Sequence, residues 1–388
     1  MKMNSKLLAK QVFAVAAAAA MATGTAQASE LKFKTDGGLK WETDDGKASG
    51  QFGGRVMIDA NYFDDDSTPN KGGYSNGLEF RRLRLFGKGQ YLDYAGIVQI
   101  DFSGASVALK DVYITKKAFG GKIIGGHFKQ PFGLEELTSS KYITFIERGF
   151  GSNGIATSHK LGLGFSTNQG PTTFMASIYD GADVNASGGD AKGPGSGIGA
   201  RFTWAPQADA GNVTHFGIAA ASESNVDFSK SLRPEAHLGQ KYKMISITEA
   251  DVIKLGLEAA LVRGPFSAQA EYMMADAEGT GPGETFNSYY GQVSYFLTGD
   301  TRPYKAKAGS FDRVKPKGEN GAWELAARFD GAENDDTGAE AQAFTFGVNY
   351  YATKQVRWML NYVMAEMTEA GRAQDKPDAL VARWQWDF

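Results

Sequence analysis

Residues 379–388 read Ala379-Leu380-Val381-Ala382-Arg383-Trp384-Gln385-Trp386-Asp387-Phe388, and their parity decides the fold. Leu380, Ala382, Trp384, Trp386 and Phe388 form one set, and Val381, Arg383, Gln385 and Asp387 the other. A helix would scatter both sets around its circumference. A strand sorts them onto two faces, one aromatic and apolar, the other mostly polar.

The same period of two runs back through the chain. Trp358, Leu360, Tyr362 and Met364 alternate with Arg357, Met359, Asn361 and Val363, and Phe344, Phe346, Val348 and Tyr350 with Thr345, Gly347, Asn349 and Tyr351. Farther upstream the pattern recurs at 322–331, 252–263, 94–103, 79–91 and 51–63. Further segments near 107–117, 121–130, 160–168, 172–180, 197–205, 213–222, 266–276 and 286–298 bring the total to about sixteen, an even number of segments of membrane-crossing strand length. Short connections such as 91–94, 119–121 and 264–265 contrast with Asp-, Gly- and Asn-rich ones such as 64–78. The expected fold is all-β, a transmembrane antiparallel barrel closed by pairing its last strand with its first. A soluble sandwich also alternates, but its exposed face need not be so consistently aromatic and aliphatic.

Composition agrees. Glycine is plentiful (49) and proline scarce (11), and no apolar run beyond residue 28 is long enough for a spanning helix. Lys2, Lys6 and Lys10, the apolar run 12–21 and Ala26-Gln27-Ala28 have the form of a signal peptide, so residues 1–28 are expected to be removed and 29–388 to form the barrel. Leaving those three lysines out of the 41 Lys and Arg sets 38 against 44 Asp and Glu, which offers no electrostatic basis for nucleic-acid binding. There is no cysteine, hence no disulfide and no thiolate metal or redox site. The four histidines, at 127, 159, 215 and 237, lack metal-ligand spacing, and no nucleophile elbow or phosphate-cradling loop occurs. Glu135 and Glu136 are adjacent, and on an extended chain they would point apart. No catalytic residue, metal or cofactor is expected, and the chain reads as a channel of the bacterial outer membrane, not an enzyme.

Charge on the water-facing parity then sets the expected chemistry. Arg55, Arg82, Arg84, Lys129, Lys160, Arg201 and Arg328 alternate with apolar neighbours and should point inward, where a guanidinium offers forked donors to an oxyanion. Asp59, Asp101, Glu258, Glu271, Glu324 and Asp330 share that parity, so the lumen is mixed in sign. Anion preference, weak selectivity, cation preference and a plugged structural barrel all remain open on parity alone. The stretch 131–159 is too long for a hairpin turn and mixes Tyr142, Ile143, Phe145 and Ile146 with Lys141, Glu147 and Arg148. It is expected to fold inward as a constriction loop carrying those three charges.

Several runs also resemble one known family. They are GGLKWETDDG (37–46), GGRVMID (53–59), FRRLRL (80–85), LKDVYI (109–114), FKQPFGLEELTSS (128–140), IER (146–148), FDRVKPK (311–317) and GAWELAARF (321–329). Together they resemble the phosphate-selective porin O and P family across nearly the whole chain. The resemblance implies a homotrimer of sixteen-stranded barrels in outer-membrane lipid, each constricted by its third loop, with phosphate or polyphosphate guided by basic residues. On matching motifs it implies Arg55, Arg81, Arg82, Asp111, Lys129 and Arg148 as the anion path, with Asp111 keeping the ion from binding too firmly. Arg81 and Arg82 are neighbours, so both can face the lumen only if the strand carries a bulge or one of them lies at a rim.

Overall fold

In the computed structural model, which describes residues 31–64, 74–185 and 195–388, a closed ring of strands surrounds a filled interior. The segment expected to be a signal peptide, and the middle of the loop expected at 64–78, lie outside the described residues. A hairpin of β1 (Leu31–Lys34) and β2 (Leu39–Thr43) comes first and pairs with the lower part of β3 (Ala48–Asp64). The wall continues through β4 (Gly77–Tyr91), β5 (Tyr94–Asp101), β6 (Ala108–Ala118) and β7 (Gly121–Lys129). After two short helices, α1 (Leu134–Leu137) and α2 (Phe150–Gly154), come β8 (His159–Gln169), β9 (Thr172–Asp180), β10 (Ser196–Asp209), β11 (Asn212–Leu232), β12 (Tyr242–Arg263), β13 (Phe266–Glu278) and β14 (Glu284–Phe296). A small hairpin of β15 (Tyr304–Lys305) and β16 (Ser310–Phe311) precedes β17 (Ala322–Asn334), β18 (Ala339–Tyr351), β19 (Val356–Thr368) and β20 (Asp378–Asp387).

Sixteen of these, β3–β14 and β17–β20, form the ring, each antiparallel to its neighbours. Closure is made by β20 on β3, with Leu380 opposite Tyr62 and Trp384 opposite Ile58. At the seam's lower end the Gly54 amide donates to the Phe388 carbonyl at 2.8 Å, and the Phe388 amide donates back at 3.1 Å. A closed ring leaves no strand edge for lipid to solvate, the condition for a sheet to cross a bilayer. The pleat sorts as the sequence parity requires: Leu380 and Trp386 are exposed outward, while Val381, Arg383, Gln385 and Asp387 are buried inside. Outward aromatics pair across strands, as Trp323 on Tyr350 (centroids 4.6 Å apart) and Trp358 on Trp384 (6.1 Å) do.

Three connections fill the interior. The chain from 130 to 158 crosses to the far wall, where Arg357 donates to the Ile143 and Thr144 carbonyls (2.7 and 2.9 Å) and Arg383 to that of Ile146 (2.6 Å). From the short-turn end, the segment between β14 and β17 rises to meet it. Arg201 donates to the Gly309 carbonyl (2.7 Å), and Phe311 packs with Leu134, Val213, Ala260 and Val262. From the other end, the connection between β11 and β12 bends over the lumen and sets Glu235 against Arg328 (2.6 Å). All sixteen wall strands coincide with the periodic segments, but β11 and β12 run about ten residues farther toward this end than alternation indicated. Their outer halves contain register shifts between Glu223 and Val226, Val226 and Phe228, and Lys230 and Ser231, with Asn225 and Glu249 at positive φ (55° and 52°). Each bulge resets the parity, so the period of two is erased from the sequence there. The β1–β2 hairpin and the inserted β15–β16 hairpin were likewise too short to register as periodic.

Leu257 lies on the outward face of β12 and is 55 % exposed. Leu257→Arg is expected to destabilise the barrel by about 2–4 kcal/mol, as a charge near the bilayer midplane does. Urea titration in lipid vesicles, read by the folded-to-unfolded gel shift, checks this; an unchanged midpoint would mean that the face does not meet acyl chains.

Candidate functional site

A water-accessible cavity of about 950 Å³ opens between the β3–β9 side of the wall, the outer halves of β11 and β12, and the inward loop. Eleven Lys and Arg line it against seven Asp and Glu, a net positive lining in an acidic chain. Of the residues expected from the sequence, Arg55, Arg81, Arg82, Arg84, Asp111, Lys129, Glu147 and Arg148 all border this cavity. Lys141 does not. It lies on the loop's far side, 3.3 Å from Asp387 and with its ammonium 5.3 Å from the centre of the Tyr142 ring.

Two bulges explain how neighbouring charged residues share the lumen. In the β3–β4 pairing Met57 faces Arg82 and Ile58 faces Phe80, which leaves Arg81 as the extra residue. In the β5–β6 pairing Val98 faces Val112 and Ile100 faces Leu109, so Gln99 alone opposes both Lys110 and Asp111. An extra residue on one strand turns two consecutive side chains toward the same face. Arg81 and Arg82, and likewise Lys110 and Asp111, therefore all border the cavity.

Most of these cations are already compensated. Glu147 accepts both ends of the Arg81 guanidinium (2.7 and 2.8 Å) and also lies 3.0 Å from Arg383. Arg84 pairs with Asp101 at 2.6 Å. Glu136 holds Lys129 at 3.0 Å and Arg148 at 3.3 Å. Burial alone would raise the pKa of Glu136, but Lys129 and Arg148 bring it down to about 2. Burial likewise opposes the charge on Glu147, yet Arg81 and Arg82 hold it well below the carboxylate range. Arg55 and Arg82 differ. Each is buried, at 7 % and 4 % exposure, and among the described residues neither has a carboxylate within ion-pair distance. Arg55 donates to the Ser140 hydroxyl at 2.7 Å, while Arg82 has only the Met57 sulfur at 3.5 Å and a buried Nε with no partner. A desolvated guanidinium without a counter-charge is costly, and an arriving anion offsets that cost.

The lumen arginines on the opposite wall do different work. Arg201 is paired with Glu258 (2.6 Å), Arg383 with Asp59 (2.6 Å), and Arg328 with Glu235, all buried under the inserted segments. Arg201 and Arg328 thus point inward, as their parity requires, but they reach inserted backbone and carboxylates, not the cavity. Wall carboxylates grip the loop from its amide side. Glu271 accepts the Leu134 and Glu135 amides at the start of α1 (2.6 and 2.9 Å), and Asp330 accepts that of Phe150 at the start of α2 (2.8 Å). These donors have no partner within the helix, so the side-chain oxygens that meet them fix the loop in place. The Glu135–Glu136 pair sits on a helical turn and not on extended chain, with Glu135 turned to the sealed side and Glu136 to the cavity. Alternation also gave no sign of Lys110, Lys122, Ser140, His159 or Lys230 as cavity residues. The first lies in a bulge, the second near the short-turn end, and the rest in or beside loops and bulges, where parity carries no information.

Comparisons with known proteins bear on the chain as a whole. The profile of the family described as "Phosphate-selective porin O and P" matches residues 51–388. Porin O of Pseudomonas aeruginosa is 30 % identical over 427 aligned positions, covering 97 % of this chain and 96 % of that protein. Among solved structures, the anion-selective porin from Comamonas acidovorans has a TM-score of 0.58 at 13 % identity, covering 88 % of this chain and 100 % of that one. The trimer form of OmpT from Vibrio cholerae has a TM-score of 0.55 at 11 % identity, covering 88 % and 99 %. At such identities the two structures speak for the fold alone.

Two outcomes are expected from the loop's anchoring. Arg357→Ala removes its hydrogen bonds to the Ile143 and Thr144 carbonyls and should raise single-channel conductance by roughly half, with added open-channel noise, in planar bilayers. The Glu136 carboxylate is held at about 2 against its ordinary 4.5, so its contribution is complete above about pH 4.5 and is lost as the pH falls toward about 2. Loop noise should therefore stay low down to about pH 3 in the native channel, whereas Glu136→Gln should be noisy throughout.

Proposed function

The chain belongs to the phosphate-selective porin O and P family, and on that premise we propose that its cavity conducts phosphate and related oxyanions in preference to cations. It is a bacterial outer-membrane porin and not an enzyme; what the proposal adds is the solute, the residues that select it, and assembly as a homotrimer. The observation that carries the reading is the pair of buried guanidinia, Arg55 and Arg82, that have no carboxylate among the described residues within ion-pair distance.

An oxyanion entering the cavity exchanges part of its hydration shell for guanidinium N–H donors in fixed forks. Arg55, with the Ser140 hydroxyl beside it, and Arg82 offer donors of this kind. Arg81, Arg84, Lys129 and Arg148 keep the surrounding potential positive, but their carboxylate partners limit how firmly each holds an ion. Asp111 adds a repulsive charge on the same path. Conduction needs this balance, because a site that binds too tightly stops the flow. Assembly as three such barrels is supported by the family resemblance and by the trimeric form of the Vibrio OmpT relative.

Phosphate added to one side of a planar bilayer should block chloride current in a saturable way. Arg82→Ala and Arg55→Ala should each weaken that block about tenfold, the scale of one charge-assisted hydrogen bond. Lys141→Ala should leave it unchanged, since Lys141 lies outside the cavity. Chloride current indifferent to phosphate, or a reversal potential favouring potassium, would reject the oxyanion reading and leave a weakly selective porin.

A further inference from the structure

His159 begins β8, immediately after the inward loop, and borders the cavity with its side chain 11 % exposed. Its Nε2 lies 3.4 Å from the Asp111 carboxylate, and its Nδ1 lies 3.3 Å from the Ser158 hydroxyl. Ser158 in turn lies 3.2 Å from the Glu136 carboxylate. The result is a chain of three links, Asp111–His159–Ser158–Glu136, with an ionised carboxylate at each end.

The two protonation states of the ring differ in how many of these links they complete. Ionised carboxylates only accept, so three links require three protons from the two residues between them. A serine hydroxyl supplies one and a neutral imidazole supplies one. With a neutral ring, one link sets two lone pairs face to face. An imidazolium donates from both nitrogens and completes the chain.

We propose that His159 is a proton-operated selectivity residue of the anion path: taking up one proton joins Asp111 to Glu136 through Ser158 and compensates the negative charge of Asp111 in the cavity. The inference rests on the anion-porin reading above and adds a control to it. Above the transition Asp111 repels permeating anions; below it, Asp111 and His159 form a neutral pair and the arginines act unopposed. Other charged groups bear on the ring as well. Lys110 shares the β6 bulge with Asp111, Lys129 and His127 approach from β7, and Glu136 from α1. His127 stacks on His159 with ring centres 5.5 Å apart and has its Nδ1 2.6 Å from the Lys110 carbonyl, a buried contact away from the carboxylate chain.

The test is the chloride-to-potassium permeability ratio, from reversal potentials of the full-length channel in a KCl gradient between about pH 8 and about pH 5.5, where imidazole titrates. The native ratio should rise roughly threefold on acidification, as expected for one charge added beside a wet ion path. His159→Gln, which keeps an amide near Asp111 but cannot charge, should flatten the profile. Ser158→Ala removes the link to Glu136 and should move the step to lower pH, so it serves as the test if His159→Gln fails to assemble. A flat native profile, a step retained in His159→Gln, or a Ser158→Ala profile superposable on the native one would overturn the proposal. A cation-selective channel that still shows the His159-dependent step would reject the oxyanion reading and leave the proton control standing. An anion-selective channel without the step would do the reverse.

Discussion

Hydrocarbon offers no partner to a backbone N–H or C=O, and the whole architecture follows from that one deficiency. The sheet must close, and it does so through the β20–β3 seam, whose last bonds are the reciprocal pair between Gly54 and Phe388. Closing sixteen strands encloses a space wider than side chains alone can fill. Here that space is occupied by the chain itself: one loop from each end and the 130–158 segment between them. Inserting backbone into a lumen recreates the problem that closure solved, because those amides and carbonyls also need partners. The wall supplies them as arginines aimed at loop carbonyls and carboxylates aimed at loop amides.

This division of labour separates the basic residues into two populations that composition cannot tell apart. On the β10–β20 side, Arg201, Arg328, Arg357 and Arg383 are buried among carboxylates and carbonyls. On the β3–β9 side, and at Lys230 and Lys254 of β11 and β12, the cations line the cavity. A buried guanidinium stripped of its partners is expensive, so the first group is structural by necessity. Among the described residues, Arg55 and Arg82 are the cavity guanidinia with no carboxylate at ion-pair distance.

How much of this could be read from the chain depends on whether the pattern was local. Alternation located all sixteen wall strands because each pleated segment records its own two faces, as 379–388 does. The Arg81–Arg82 conflict was legible as well, but only as a choice between a bulge and a rim position; the register between Met57 and Ile58 contains the bulge. The same event at Lys110–Asp111 left no such sign, since an alternating reading assigns one of them outward without contradiction. Arg201 and Arg328 were legible as inward, but not as covered, because what covers them comes from residues more than a hundred positions away. Lys141 and Glu147 were both assigned to the constriction from their place on one loop. A folded loop has two sides, and only Glu147 is on the side facing the cavity.

The acidic balance of the chain then ceases to conflict with an anion path. Net charge sums over the whole molecule, while a permeating ion responds to charges within about a Debye length, roughly 8 Å at physiological salt. Within the cavity lining the balance is reversed, eleven basic residues to seven acidic. Two of the acids present there are also tied up: Glu136 and Glu147 are each shared between two cations, which fixes their oxygens on those partners. Removing them would not make a stronger filter, since Arg81, Lys129 and Arg148 would lose the contacts that orient them and the loop would lose part of its anchorage. A field that must attract an ion without trapping it is best built from cations already half satisfied, with only one or two left open to the passing charge.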